Sequence, residues 1–159
     1  MAGRNLSNKW SRARMRITLS LTLLLAVVWS ACQKPSVNPI AGASVSHITG
    51  ITWKLRSFST ISGEEKPVPA TATVTLLLTD SARLGGRGGC NSYGGPYQIH
   101  DSLLSVTGPM FRTKMSCDAI ATEDEYLDAL AKSVRYWSDG RILLIYYGDG
   151  NHILSFAKM

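Results

Sequence analysis

The chain lacks a hydrophobic run long enough to cross a membrane, and it contains little cysteine or histidine. Its main uncharged apolar stretch, residues 17–28, covers about a dozen positions, whereas a spanning helix needs roughly 20. The three histidines, His47, His100 and His152, stand apart from one another without the close spacing that metal ligands show. These features argue against a spanning helix and against a metal site.

Acidic residues are absent from the start of the chain. All 11 Asp and Glu follow Cys32, whereas five of the 17 Lys and Arg precede it. The residues after Cys32 therefore carry 12 basic and 11 acidic side chains. A nearly neutral mature chain lacks the basic excess that is typical of nucleic-acid binding. We therefore expect no nucleic-acid partner.

The first 31 residues have the layout of a bacterial secretory signal. Basic residues precede the apolar stretch, and Ser30-Ala31-Cys32 follows it. Small residues before a cysteine favour a lipoprotein signal, in which the Cys32 thiol is lipidated and cleavage makes Cys32 the new N-terminus. An ordinary secretory signal is the second interpretation, because Trp29 stands where lipoprotein signals usually carry an aliphatic residue. A spanning helix ranks third.

The remaining chain divides into a linker and one domain. Residues 32–47 are rich in Pro, Ser, Gly, Ala and Asn and show no apolar periodicity. We expect them to form the lipidated N-terminus and a flexible tether, which would span roughly 20–25 Å as a coil. Residues 48–159 have the length of a single domain with one core.

Apolar alternation and β-branched runs predict about seven or eight short strands in this domain. They fall at residues 51–55, 71–79, 88–91, 97–100, 103–106, 113–117, 141–147 and 152–156. Residues 64–67 break the pattern and are predicted to form a loop. Asp101-Ser102 and residues 148–151 have the composition of hairpin turns.

One helix is predicted at residues 123–136. Thr122 and Glu125 have the spacing of a capping box, and Glu123, Asp124 and Glu125 place negative charge in the first turn. Asp118 is interpreted in the same way, as charge near the helix entry. An apolar face of the helix is formed at helical spacing by Leu127, Leu130, Val134 and Trp137.

These elements predict an α+β fold that is mainly antiparallel β. The strands do not alternate with helices, as a parallel sheet would require. We expect a curled sheet or open barrel packed against the one helix.

Cys90 and Cys117 remain once Cys32 is lipidated. In an exported chain an even pair makes a disulfide plausible, and it would contribute about 3 kcal/mol by restricting the unfolded chain. Two buried thiols are the alternative. Neither cysteine has a sequence context that marks a nucleophile paired with His100 or His152.

The glycine-dense segment 83–91 lacks the Gly-Lys-Ser/Thr ending of a phosphate-binding loop. Its glycines are better explained by bulges or by close approach of the backbone.

Three short motifs follow one another along the domain. They comprise Trp53 with Leu55; Gly89, Cys90, Asn91, Tyr93, Gly95 and Tyr97; and Thr113, Met115 and Cys117, followed by Glu125, Tyr126, Leu127 and Leu130. In this order they resemble the META (HslJ-like) domain family over nearly all of residues 48–159.

The resemblance implies a compact antiparallel β structure with one helix, often tethered to the bacterial envelope and associated with stress tolerance. The family is also similar in fold to secretin pilot lipoproteins, which hold lipid in an open barrel. It supplies no catalytic residue, metal or cofactor to assign here.

The expected function is therefore that of a non-enzymatic lipoprotein of the bacterial envelope, most simply at the outer membrane, with its domain in the periplasm or at the cell surface. It would bind or scaffold another envelope component in stress tolerance. The alternative is a module that binds a lipid or another hydrophobic ligand between the sheet and the helix. A hydrolase-type enzyme is the third possibility.

Overall fold

The computed structural model describes residues 48–159. The predicted signal peptide, Cys32, the tether and His47 lie outside these residues. The described chain forms ten strands and one helix, α1 (Ile120–Ala131). The strands are β1 (Thr52–Thr60), β2 (Glu65–Pro67), β3 (Thr75–Leu78), β4 (Arg83–Arg87), β5 (Ser92–His100), β6 (Leu103–Val106), β7 (Phe111–Arg112), β8 (Ser133–Ser138), β9 (Ile142–Tyr147) and β10 (His152–Lys158).

Eight of these strands close into an antiparallel barrel in the order β1-β3-β4-β5-β6-β8-β9-β10, with β10 paired back onto β1. β2 extends the sheet beside β1, and β7 pairs with β5. The mainly antiparallel barrel with one helix is thus confirmed, whereas an open or curled sheet was wrong. β1 closes the barrel because it pairs with β3 on one side and with β10 on the other. Its pairing with β10 runs from Trp53 opposite Lys158 to Thr60 opposite His152.

Two strand predictions and one loop prediction were wrong. Residues 88–91 form the turn between β4 and β5, where the Gly88 amide donates to the Asn91 carbonyl at 2.7 Å. Residues 113–117 contain no strand. Residues 64–67, predicted as a loop, include β2 because Lys66 lies opposite Phe58 of β1.

The helix lies further towards the N-terminus than predicted. It begins at Ile120 and ends at Ala131, so the Thr122 capping box does not form. Glu125 instead accepts a hydrogen bond from Lys66 of β2 at 2.6 Å. The segment after the helix, with Val134, Tyr136 and Trp137, is rich in residues that favour strands, and it forms β8 by pairing with β9.

The main hydrophobic core fills the barrel and extends to the inner face of α1, and Ala72, Cys90 and Ala119 form a smaller cluster. Trp53, Leu154 and Leu143 on the strands and Tyr126 and Leu130 on α1 are all completely buried. Each such side chain contributes roughly 1.5–3 kcal/mol on burial. Helix and barrel therefore share one hydrophobic core, as the apolar face of the predicted helix required.

Candidate functional site

A buried carboxylate lies where α1 meets the turn between β4 and β5. Glu123 is 0 % exposed, although acidic side chains are almost never fully buried unless they are paired. It lies four residues before Leu127 and seven before Leu130, and therefore on the inner face of the helix. Glu123 does lie in the first turn of α1, as predicted for helix-entry charge, but its burial and its hydrogen-bond partners were not predicted.

Four donors satisfy this carboxylate. Oε2 accepts from the backbone amides of Cys90 at 3.0 Å and Asn91 at 2.7 Å. Oε1 accepts from Asn91 Nδ2 at 2.7 Å and from Arg112 Nη1 at 3.3 Å. Arg112 also binds the Asp124 carboxylate, and this hydrogen bond raises the pKa of the Arg112 guanidinium. Charge-assisted bonds of this kind are roughly twice as strong as neutral ones. We call these residues (Cys90, Asn91, Arg112, Glu123) the Glu123 cluster.

The glycines before Cys90 make room for Glu123. A Cβ on Gly88 would lie 2.6 Å from Glu123 Cγ, closer than atoms can pack. Gly89 has φ +135°, a conformation that other residues rarely adopt. Close approach to a carboxylate thus explains the glycines, as the sequence analysis expected of the segment.

The Asn91 side chain connects the cluster to residues 113–115. Its Oδ1 accepts from Thr113 Oγ1 at 2.8 Å and from the Met115 amide at 2.6 Å, while Nδ2 donates to the Met115 carbonyl at 3.0 Å. Asn91 therefore binds both backbone groups of Met115, as a neighbouring strand would. Residues 113–117 are held in place without a strand of their own.

A disulfide joins Cys90 to Cys117, with 5.7 Å between their Cα atoms, so the suggested bridge is present. The Cys117 carbonyl accepts from the Ile120 amide at 3.1 Å at the start of α1. The bridge thus ties the β4–β5 turn to the helix entry. Because neither cysteine is a free thiol in this form, neither can act as a nucleophile with His100 or His152.

These contacts present an exposed segment, residues 110–117, which includes the two-residue strand β7 and which we call the clasped loop. Residues 111–117 are all exposed, and Phe111 and Met115 are 60 % and 65 % exposed. Phe111 lies over Gly94, where an added Cβ would be 2.7 Å from the ring. Met110 lies over Gly95 in the same way. Met115 packs against no glycine in this way, and its side chain points to solvent.

The other predicted motif residues support the barrel. Trp53 donates to the Ile48 carbonyl at 3.0 Å, and the Tyr97 hydroxyl donates to the Thr79 carbonyl at 2.8 Å. The Tyr93 hydroxyl donates to the Thr75 carbonyl at 2.9 Å and lies 2.5 Å from the Tyr126 hydroxyl.

Burial raises the pKa of both Tyr93 and Tyr126 above the usual tyrosine range, so both hydroxyls stay protonated. These tyrosines join the barrel to the helix.

Sequence reasoning missed Glu123 and Arg112 as members of the site. A signal for Glu123 was present, because its spacing from Leu127 and Leu130 places it on the apolar face. An acidic residue in that position requires buried donors. Arg112 gave no comparable signal, because its partners are 11 and 12 residues away across a loop.

The histidines lie away from this site. His100 is exposed beside Asp101, with Nδ1 and Oδ2 3.1 Å apart, and His152 packs against Tyr147. Within residues 48–159, no group of three or more His, Cys, Asp or Glu could hold a metal ion. Over the same residues, no helix combines the length and apolarity that spanning a membrane requires.

Fold and site together define a class: a small closed β-barrel with one helix, which a buried glutamate and a disulfide attach to a glycine-rich turn. The META domain family model matches residues 46–159. The chain belongs to the META domain family.

Two of the solved structures that match this chain show its fold. One is the NMR structure of a protein from Burkholderia xenovorans, with 25 % identity and a TM-score of 0.63, covering 79 % of this chain and 94 % of that one. The other is a DUF4847 family protein from Bacteroides vulgatus, with 14 % identity and a TM-score of 0.54, covering 69 % and 93 %. No curated protein matches the sequence.

Proposed function

We propose that this META domain protein is a non-enzymatic lipoprotein of the bacterial envelope that binds another envelope protein through the clasped loop. The observation that carries the proposal is Met115, which is 65 % exposed while both its backbone groups are fixed by Asn91. Rigid presentation lowers the entropy lost on binding. Apolar side chains on a fixed loop suit recognition of a protein surface.

The architecture supports binding more than catalysis. The Glu123 carboxylate is fully buried and its hydrogen bonds go to groups that hold the loop. Through these hydrogen bonds the Glu123 carboxylate fixes the position of the clasped loop. A scaffolding role in envelope stress tolerance fits this arrangement and remains part of the proposal.

A hydrophobic ligand between the sheet and the helix has less support. Tyr126 and Leu130, the helix side chains that face the barrel, are 0 % exposed. Tyr126 also packs edge-on against Phe156, with ring centres 6.3 Å apart. A ligand would have to displace these contacts.

Photo-crosslinking tests the proposed binding loop. A photoreactive phenylalanine analogue at position 115, in intact cells, is expected to give a discrete crosslinked protein band. The control is position 61, because Ile61 is 61 % exposed in another turn. Asn91→Ala should weaken the band at position 115, since it releases the loop. Equal bands at 115 and 61, or a band unaffected by Asn91→Ala, would contradict the proposal.

The lipid anchor has a separate test. Cys32→Ala is expected to block lipid attachment, so that the precursor stays uncleaved or the protein leaves the membrane fraction. Metabolic labelling with palmitate and fractionation measure this, with Ser36→Ala as the control that keeps both Cys32 and the Cys90–Cys117 disulfide. Unchanged labelling and membrane retention in Cys32→Ala would reject the anchor.

A further inference from the structure

Four neighbouring strands, β8, β9, β10 and β1, contain no acidic residue. Their basic residues are Lys54, Arg56, Arg135 and Lys158, and Arg141 lies in the turn between β8 and β9. Asp139 in the same turn binds the amides of Arg141 and Ile142. Although the chain after Cys32 is almost neutral, the only charged residues in these four strands are therefore basic, and the acidic Asp139 and Asp149 lie in the turns that join them.

The outer surface of the same strands is largely apolar. Leu143 and Ile145 of β9 are fully buried, so Ile142, Leu144 and Tyr146, which alternate with them, point outward. The strand register aligns outward side chains in rows, two of which are Lys54–Ala157–Ile142 and Ser155–Leu144–Trp137. A solvated sheet face normally carries polar residues. We call this surface of β1, β8, β9 and β10 the basic face.

A cleft of about 310 Å³ opens beside the first row. Lys54 and Arg56 lie at its edge, and its other lining residues are Leu55, Pro67, Val68, Pro69, Ala70 and Ala72. Arg56 is the extra residue of a bulge between Leu55 and Ser57, and it lines the same cleft as Lys54. The two cations can therefore approach one anionic group, with Val68 and Pro69 nearby.

The segment that precedes the domain enters at this end of the barrel. Thr52, at the start of β1, accepts a hydrogen bond from the Met159 amide at 3.0 Å. Lys158 in turn donates its amide to the Arg141 carbonyl at 2.9 Å. Ile48, the first described residue, lies at the same end, because its carbonyl accepts from Trp53 Nε1 and Thr49 pairs with Leu78 of β3. In this one respect the inference rests on the proposed function, because a lipid at Cys32 would keep this end near a bilayer.

We propose that the basic face binds the surface of a bilayer containing anionic phospholipid. Lys54 and Arg56 hold a lipid phosphate in the cleft, and Trp137, Leu144 and Ile142 contact the boundary between headgroups and acyl chains. Basic side chains are attracted to anionic leaflets, and Trp favours this boundary. The combination of both on a face with no acidic strand residue favours a membrane over a soluble partner.

Vesicle flotation with residues 33–159 tests this binding. This fragment keeps the closed barrel, its core and its disulfide, and the Burkholderia xenovorans protein is itself almost entirely this domain. It omits Cys32 and the apolar stretch 17–28. We expect it to float with vesicles of phosphatidylglycerol and phosphatidylethanolamine but not with phosphatidylcholine alone, and sodium chloride should weaken the binding.

Paired variants show whether the face itself is responsible. Lys54→Gln with Arg56→Gln should lower the partition coefficient about 25-fold, or roughly 5-fold per charge. Arg83→Gln with Arg87→Gln removes the same charge from exposed positions on β4 and should leave binding unchanged. Equal flotation with both lipid mixtures, or equal loss in the two double variants, would overturn the proposal.

Trp137 reports contact with the bilayer. The fragment contains only Trp53 and Trp137, and Trp53 is 0 % exposed. Brominated phosphatidylglycerol vesicles should therefore quench Trp137 emission on binding. Absence of quenching, or binding of inorganic phosphate without vesicle binding, would refute membrane docking. Because the fragment lacks Cys32 and the assay contains no partner protein, these outcomes are independent of the lipid anchor and of the clasped loop.

Discussion

Glu123→Ala is expected to lower the free energy of unfolding by about 3–5 kcal/mol, the cost of removing one member of a buried charged network. The change leaves the Cys90 and Asn91 amides without their acceptor and removes one of the two acceptors of Asn91 Nδ2, which still donates to the Met115 carbonyl. Each buried donor without a partner costs about 1–3 kcal/mol. Urea unfolding of residues 33–159 with the disulfide intact measures the loss. Because a domain is typically stable by only about 5–15 kcal/mol, this is a severe change.

Two further variants define what the Glu123 result means. Asp124→Asn removes the other carboxylate bound to Arg112, but Asp124 is 56 % exposed, so a loss below about 1 kcal/mol is expected. Glu123→Gln preserves shape but places an NH₂ group opposite a donor, and should be destabilising to an intermediate degree. If Glu123→Ala is as stable as Asp124→Asn, the carboxylate does not hold the turn.

Removing the disulfide should have the second largest effect. Cys90 and Cys117 are 27 residues apart, and opening a loop of this size costs about 3 kcal/mol in the chain-entropy model. The paired variant Cys90→Ser with Cys117→Ser should also increase amide exchange in residues 113–118. Urea unfolding and hydrogen exchange measure the two effects. Asn91 still binds Met115 in this variant, so the barrel should remain folded.

The disulfide and Glu123 should act together, because both hold the same turn. Combining Glu123→Ala with the two serine changes should therefore cost less or more than the sum of the separate losses. Additive losses would show that the two connections are independent. Non-reducing peptide mapping provides the covalent check, and two alkylatable thiols in the unreduced, unfolded protein would contradict the bridge.

The sequence predicted those strands and the helix face whose apolar pattern involves residues close together in the chain. β1, β6, β9 and β10 follow from alternating apolar residues and the turns between them, and Leu127 and Leu130 correctly marked an inner helix face. β8 was missed for a physical reason. Val134 and Trp137 continue the heptad spacing of Leu127 and Leu130, yet pairing with β9 completes the barrel and outweighs local helix propensity.

The site was predictable only in part. Cys90, Asn91 and Cys117 were identified as motif residues, but their roles depend on contacts across 22 to 33 positions of the chain. Such contacts leave no periodic pattern. Closure of the barrel was missed for the same reason, since β1 and β10 are separated by most of the domain.

The pairing of β1 with β10 also bears on how the protein reaches its native state. The strand made first at the ribosome finds its partner only when the last strand is available. Such distant pairing is slow, because loop entropy is lost before contacts compensate. The barrel of a nascent chain therefore cannot close until β10 has been synthesised. This delay suits a polypeptide that must cross a membrane unfolded, as the N-terminal signal predicted here would require.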